Sequence, residues 1–134
     1  MDTISREARS RLMSKIRGKD TGPEMVVRRL AHSLGFRFRL HVAGLPGSPD
    51  IVFPSRKKVI FINGCFWHDH KCKVAGRSPQ TRRQYWQAKF ARNRNRDRQV
   101  RRRLRNLGWR VLTVWECQTR NVDRLAAVLR AFLA

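Results

Sequence analysis

Residues 50–62, with the sequence DIVFPSRKKVIFI, hold two short apolar runs separated by a polar turn. Asp50-Ile51-Val52-Phe53 and Val59-Ile60-Phe61-Ile62 are rich in β-branched and aromatic residues, which is typical of buried strands. The turn at residues 54–58 is short enough to join two neighbouring strands. The stretch therefore predicts a buried β-hairpin, and we expect its strands to form the centre of a sheet.

Upstream of the hairpin, the pattern predicts a helix, a strand and a loop. Thr21-Gly22-Pro23-Glu24 has the spacing of a capping box with proline in the first turn, and Gly35 supplies a stop. The apolar positions between them are Met25, Val26, Leu30 and Leu34. Residues 36–40 alternate apolar and basic side chains, which predicts a half-exposed strand. Residues 44–49 form a loop.

Downstream, a long helix is predicted from about Thr81 to Leu107, ending at Gly108. One stripe of this helix contains Trp86, Phe90, Asn93, Asp97, Val100, Leu104 and Leu107. Residues 109–115 predict another buried strand, which the helix joins to the hairpin in a crossover. Residues 122–133 predict a closing helix with Leu125, Val128, Leu129 and Leu133 on one face. The fold class is α/β with a mixed sheet flanked by helices.

The length of the chain indicates how many domains it forms, and its charge indicates what kind of partner it binds. A chain of 134 residues matches one domain, which we assign to residues 21–134, preceded by a basic arm at residues 1–20. The net charge of +22 comes mostly from arginine, which binds phosphate through a forked guanidinium. Nucleic acid is therefore the leading partner, and a membrane is the weaker one because no apolar run could span a bilayer.

The cysteines indicate a metal site. The N-terminus lacks the apolar stretch of a secretory signal, so we expect a cytoplasmic protein with reduced thiols. Five residues compete for four zinc ligand positions: Cys65, His68, His70, Cys72 and Cys117. If the strands before Cys65 and Cys117 run parallel, both cysteines lie at one sheet edge, and zinc would join the loop to the last strand. We favour Cys65, His70, Cys72 and Cys117, although buried cysteines without a metal are also common.

Two aspartates stand out as candidate catalytic residues. Asp50, at the start of the hairpin, could hold Mg²⁺ where a phosphate must come, although Pro-Asp is also frequent in plain turns. Asp97 lies within an apolar stripe, where an unpaired carboxylate is costly. It could orient His68 as a base, or the helix could turn Asp97 outward or pair it with arginine.

Two aromatic residues, Phe66 and Trp67, lie directly beside the proposed base in the predicted zinc loop. A loop held by zinc could present them to DNA, since apolar wedges enter between base steps. They could equally belong to the core.

Five blocks of sequence together resemble one family. They are Pro46-Gly47 through Pro49-Asp50, Asn63-Gly64-Cys65-Phe66-Trp67-His68-x-His70-x-Cys72, Asn93 with Arg96-Asp97-Arg98, Leu107-Gly108-Trp109-Arg110-Val111, and Val114-Trp115-Glu116-Cys117. In order and spacing, the chain is similar over almost its whole length to the very short patch repair endonucleases. The combination of Gly-Cys-Phe-Trp-His with Trp-Glu-Cys is highly specific.

The resemblance implies a restriction-endonuclease-like fold and a set of site residues. One or two Mg²⁺ ions would be bound by Asp50 and a main-chain carbonyl near Ile62, with His68 as the base and Asp97 supporting it. Glu24 is added to these as a fourth candidate catalytic residue, besides its capping interpretation. The implied zinc ligands are Cys65, His70, Cys72 and Cys117. The candidate DNA-binding residues are Met13, Phe66, Trp67, Asn93 and Arg96.

The resemblance also implies a substrate and partners. The expected reaction is a nick 5′ of the thymine in a T:G mismatch left by deamination of 5-methylcytosine. A cytosine-5 DNA methyltransferase and mismatch-repair proteins are the expected functional partners, and we expect a cytoplasmic, nucleoid-associated monomer. Ile62-Asn63 departs from the family, whose best-known members have threonine and histidine there. Two alternatives remain: a non-catalytic zinc-stabilised nucleic-acid binder, and a restriction-type nuclease acting on matched DNA.

Overall fold

The computed structural model describes residues 22–65 and 82–134. The basic arm and the segment that contains Phe66, Trp67, His68, His70 and Cys72 lie outside these residues. The elements are α1 (Gly22–Ser33), β1 (Ile51–Phe53), a 3₁₀ turn (Pro54–Arg56), β2 (Lys58–Asn63), α2 (Arg83–Asn106), β3 (Arg110–Trp115), a second 3₁₀ turn (Glu116–Arg120) and α3 (Val122–Leu133). Within the described ranges, no helix is long and apolar enough to cross a membrane.

The sheet is mixed, as predicted, and its strand order is β1-β2-β3. β1 and β2 form the predicted antiparallel hairpin, with Ile51 opposite Ile60. β3 lies parallel to β2, with Asn63 opposite Trp115 at the last pair. The expectation that both hairpin strands are central was wrong for β1, because among the described residues β3 adds to β2 and leaves β1 on the outer side of a three-stranded sheet.

The strand predicted at residues 36–40 does not form. The alternation does predict the burial pattern, since Phe36, Phe38 and Leu40 pack against the core while Arg37 and Arg39 are exposed. Only one isolated bridge joins this segment to the sheet, between Arg39 and Val52. The backbone then turns at His41, whose φ of 55° is incompatible with an extended strand.

The two faces of the sheet carry separate hydrophobic clusters. One face packs Ile51, Phe53, Ile60 and Val114 against α1 and α3. The other face packs Val52 and Val59 against Leu104 of α2. The alternation of side chains along each strand assigns neighbouring residues to opposite layers, so the molecule has a helix–sheet–helix arrangement.

The long helix α2 follows the predicted stripe, with one exception. Phe90 and Leu104 are buried, and Trp86, Asn93, Asp97 and Val100 are partly buried. Leu107 was predicted on the same stripe but is 55% exposed, because the helix ends at Asn106 and Gly108, at φ 90°, turns the chain into β3.

Helix α3 closes the first layer with Leu125, Leu129 and Leu133 buried, as its pattern predicted. Its N-terminus is capped by Asn121, whose Oδ1 accepts the Arg124 N–H at 3.1 Å. At its C-terminus, Lys58 Nζ donates to the Phe132 carbonyl at 2.6 Å. Helix α3 is therefore attached directly to the start of the central strand.

Candidate active site

Asp50 is held at the edge of the sheet by two hydrogen bonds to β2. Its main-chain N–H donates to the Ile60 carbonyl at 3.1 Å. Its carboxylate Oδ2 accepts the Ile62 N–H at 2.7 Å. The preceding Pro49 is buried and, being proline, has no N–H to donate. The Asp50 carboxylate is thus the acceptor for the Ile62 N–H just beyond the end of the hairpin ladder.

The same arrangement orients the Ile62 carbonyl. In an extended strand, the N–H and C=O of one residue point toward the same neighbouring strand. Since the Ile62 N–H points to Asp50, the Ile62 C=O also faces the β1 side of β2. A carboxylate and a carbonyl, oxygen ligands of the kind that Mg²⁺ prefers, therefore face one edge, and the magnesium site itself stays a prediction.

Helix α1 brings a buried ion pair to this edge. Arg28 Nη2 donates to Glu24 Oε2 at 3.0 Å, and both side chains are nearly inaccessible to solvent. Burial raises the pKa of Asp50 to about 6, with the negative charge of Glu24 adding to the rise; the Ile62 hydrogen bond and the Arg28 charge oppose it. Glu24 therefore lies close enough to Asp50 to act on it electrostatically, which sequence spacing alone did not show.

The predicted zinc cysteines at residues 65 and 117 meet at the same edge of the sheet. β2 and β3 are parallel and in register through Asn63 and Trp115, so each cysteine follows its strand by two residues. The Cys117 N–H donates to Cys65 Sγ at 3.4 Å. The Cys65 N–H donates to Glu116 Oε1 at 3.3 Å. Sequence reasoning missed Glu116, although it lies inside the Trp-Glu-Cys block.

This cysteine pair fits half of a tetrahedral zinc site. Cys65 is fully buried, and its sulfur accepts a main-chain N–H, a contact that favours a thiolate ligand. His70 and Cys72, the other two predicted ligands, lie outside the described residues. Among residues 22–65 and 82–134, no group of three histidine, cysteine or acidic side chains assembles.

Asp97 faces the sheet from α2, as the stripe predicted. It lines a small cleft together with Phe61, Asn63, Val100, Arg101 and Thr113. Asn63 directly follows Ile62, whose N–H holds Asp50. Consecutive Cα atoms are only about 3.8 Å apart. Asp50, which is bonded to Ile62, and Asp97, which shares a cleft with Asn63, therefore both lie near the carboxyl end of β2. Asp97 is partly buried in this cleft, and because Arg101 lines the same cleft, pairing with an arginine remains the alternative to its role beside His68.

The loop before Asp50 packs against the same helix. Gly47 has a φ of 74°, and a Cβ there would collide with the side chain of Val100. Only glycine permits both this backbone and this approach. The contact holds the loop that leads to Asp50 against α2, one turn from Asp97. Of the two candidate DNA-binding residues on α2, Arg96 is exposed and Asn93 is partly buried.

Comparison with known proteins shows which family the chain is similar to. The sequence model of a family described as DNA mismatch endonuclease Vsr matches residues 1–74. The chain is 49% identical over 132 residues to the type II nicking enzyme V.XorIIP of Xanthomonas oryzae pv. oryzae, covering 98% of this chain and 96% of that protein. It is 42% identical over 124 residues to the DNA mismatch endonuclease Vsr of Escherichia coli, covering 92% and 79%. It is 44% identical over 126 residues to the type II nicking enzyme V.NaeI of Lentzea aerocolonigenes, covering 90% and 74%.

These relatives are named as nicking enzymes or as a mismatch endonuclease, so the class of protein to which the chain belongs is the nucleases. Within that class, the chain belongs to the Vsr family of DNA mismatch endonucleases. The resemblance inferred from the sequence blocks is confirmed.

Proposed function

We propose that this protein nicks double-stranded DNA on the 5′ side of the thymine in a T:G mismatch, in a magnesium-dependent reaction. The single observation that carries the proposal is the edge formed by the Asp50 carboxylate and the Ile62 main chain, in a member of a mismatch endonuclease family. The names of the relatives support its two parts: one is a mismatch endonuclease, and others are nicking enzymes.

The residues at the edge suit a hard divalent cation. Asp50 and the Ile62 carbonyl would hold Mg²⁺, which when bound polarises a phosphoryl oxygen and lowers the pKa of water. Burial raises the pKa of Asp50 because it disfavours the charged form of the carboxylate. A cation bound beside it would favour the charged form again. Asp50 contributes a fixed negative charge in a protein whose surface is otherwise strongly positive.

The remaining catalytic roles follow from position along the chain. His68 would accept a proton from the attacking water, and Asp97 would hold the imidazole in one tautomer. Asp97 faces the end of β2 from which the chain continues toward His68. Glu24 would act on Asp50 through its charge, balanced by Arg28.

A structural zinc ion would join the segment after β2 to the end of β3. Cys65 and Cys117 supply two adjacent ligands, and His70 and Cys72 would complete the site. Zinc has no part in the hydrolytic step in this proposal. It would fix the segment that contains His68, Phe66 and Trp67 relative to the sheet, so that base and wedge keep one position.

The mismatch itself would arise by deamination of 5-methylcytosine, which connects the protein functionally to a cytosine-5 DNA methyltransferase in the same cytoplasm. Phe66, Trp67 and Met13 would enter the stack at the mispair, while Asn93 and Arg96 bind nearby DNA groups. A single site acting on one strand needs only a monomer.

A nicking assay tests the proposal. Duplexes with one T:G pair, and matched duplexes of the same sequence, are labelled on each strand in turn and incubated with magnesium or with EDTA. We expect cleavage of the thymine strand only, immediately 5′ of the mispaired thymine, dependent on magnesium. Asp50→Asn, which keeps an acceptor for the Ile62 N–H, should abolish nicking and retain DNA binding.

Other results would contradict the proposal in distinguishable ways. Cleavage of matched duplex at the same rate would indicate a restriction-type nuclease. Tight binding without cleavage in any metal would indicate a non-catalytic binder. Substantial cleavage by Asp50→Asn in magnesium would remove Asp50 from the mechanism.

A further inference from the structure

Helix α2 has a charge that its packing does not explain. It contains ten lysine and arginine residues and one acid. The apolar stripe that faces the sheet uses only a narrow part of the helix surface, so most of the cationic side chains project away from the core. Arg94, Arg98 and Arg105 are exposed, and Arg101 is partly buried beside the Asp97 cleft.

These four arginines lie on one flank of the helix. Their spacing of 4, 3 and 4 residues is the repeat that keeps side chains on one face. We call Arg94, Arg98, Arg101 and Arg105 the arginine track. At a rise of 1.5 Å per residue, the track is about 16 Å long. A like-charged row of this kind is unfavourable for the isolated helix, so it requires another explanation.

The arginine track passes the candidate active site at Arg101. It ends at Arg105, near the opposite edge of the sheet, where β2 begins. Asp97 and Arg101 share a cleft with Asn63 at the carboxyl end of β2. The helix then runs antiparallel to β2, and at Gly108 it reaches Lys57, just before the start of β2; a Cβ on Gly108 would lie 3.8 Å from the Lys57 amine. Lys57 is itself exposed, so positive charge continues past the helix end.

We propose that the arginine track binds the phosphate backbone of the duplex on one side of the nicked position. Its length corresponds to about five base-pair steps of B-DNA, at 3.4 Å per step. Guanidinium groups bind phosphate oxygens through two donors. The track would therefore fix the orientation of the duplex along α2 and supply sequence-independent affinity, while Asp50 and its neighbours act on one phosphate.

The arginine-track proposal rests on the proposed function only for the position of the duplex. Two measurements distinguish a failure of the track from a failure of the proposed function. The first is the salt dependence of binding to matched duplex in magnesium-free buffer, which needs neither nicking nor mismatch recognition. Each phosphate contact contributes about 0.9 to the slope of log K against log salt. Arg98→Gln/Arg105→Gln should therefore lower the slope by about 2 units.

A matched control is available on the other layer. Arg124 and Arg130 are exposed on α3, behind the opposite face of the sheet. Arg124→Gln/Arg130→Gln removes the same charge and should change the slope by much less than the track variant. Arg98→Lys/Arg105→Lys keeps the charge and should retain most of the slope, and its thermal stability provides a check on folding that does not depend on DNA.

The second measurement locates the track on the substrate. T:G duplexes are shortened by five base pairs on one side of the mismatch or on the other. Wild-type affinity should fall for one of the two truncations, and Arg98→Gln/Arg105→Gln should be insensitive to that same truncation. Equal slopes for the track and control variants would overturn the proposal. So would a track variant that loses affinity for an RNA hairpin but keeps its affinity for duplex DNA.

Discussion

The Ile62 N–H and the Asp50 carboxylate are joined by a 2.7 Å hydrogen bond across the edge of the hairpin. This bond gives the carboxylate a fixed position relative to the central strand. An aspartate in an ordinary exposed turn would be well solvated, whereas burial raises the pKa of Asp50 to about 6. The protein therefore keeps a costly anion at the end of a strand, and that cost can be measured.

We predict that Asp50 lowers the stability of the magnesium-free protein as the pH rises. The folded pKa of about 6 exceeds the ordinary value of 3.8, so the folded state binds the proton more tightly than the unfolded state. The penalty is absent below pH 4, grows as the pH rises to about 6 and is then constant, at about 3 kcal/mol. Urea unfolding of wild type and Asp50→Asn across this range, in magnesium-free buffer, measures it.

Asp123→Asn is the matched control, because it removes one negative charge from an exposed position in the first turn of α3. The stability advantage of Asp50→Asn over wild type should increase between pH 4 and pH 6. An advantage that stays constant over this range would show that Asp50 is not desolvated in solution. Addition of magnesium should restore stability to wild type only.

The second prediction is one tightly bound zinc ion per chain. Cys117 lies against Cys65, and a metal that joins two distant parts of the chain contributes to folding free energy. Cys117→Ala should release the metal and lower the melting temperature, measured by metal analysis and thermal unfolding of the same preparation. Glu116→Gln, which retains an acceptor for the Cys65 N–H, should keep the zinc. Active wild-type protein without zinc would contradict the ligand assignment.

Whether a sequence prediction was correct depended on the physical cause of the pattern from which it was made. The hairpin was predictable because strands covered on both faces form continuous apolar runs. Helices α2 and α3 were predictable because burial on one face produces a period in apolar residues. The strand at residues 36–40 was not, because alternation reports burial and does not report whether a partner strand is present.

The candidate site divides in the same way. Asp97 was identifiable from its conflict with an apolar stripe, and the meeting of Cys65 with Cys117 followed from parallel strands. The contact of Gly47 with Val100 and the effect of Glu24 on Asp50 required tertiary structure, since neither leaves a periodic signal.

The third prediction concerns His68 and Asp97, which we expect to act as one unit. Asp97 lies on the sheet side of α2, beside Asn63. His68→Ala should reduce the nicking rate by about 10²-fold or more. The double variant with Asp97→Ala should be hardly slower than His68→Ala alone, because an orienting residue has no effect once its base is removed. Single-turnover rates on T:G duplex provide the test, and rate losses that multiply would separate the two roles.

The last prediction assigns mismatch selectivity to Phe66 and Trp67, aided by Met13. Unstacking a base step costs a few kcal/mol in matched DNA and less at a weakened pair, so an inserted aromatic favours a mispair. Trp67→Ala should therefore lose more activity on T:G duplex than on matched duplex, and the salt dependence of binding should hardly change. If Trp67 belongs to the core instead, its truncation would cost about 3 to 5 kcal/mol of stability and reduce every activity together.

Trp109→Ala provides the comparison that decides between the two outcomes. Trp109 packs against the cluster of Val52, Val59 and Leu104, so its loss should lower the melting temperature and weaken binding to matched and mismatched DNA alike. Melting temperature, matched-duplex affinity and T:G nicking are measured on both variants. Loss of a wedge residue should lower only the T:G nicking, because such a residue contacts the base stack and its removal leaves the core intact. A Trp67→Ala protein that behaves like Trp109→Ala would place Trp67 in the core and leave selectivity to other residues.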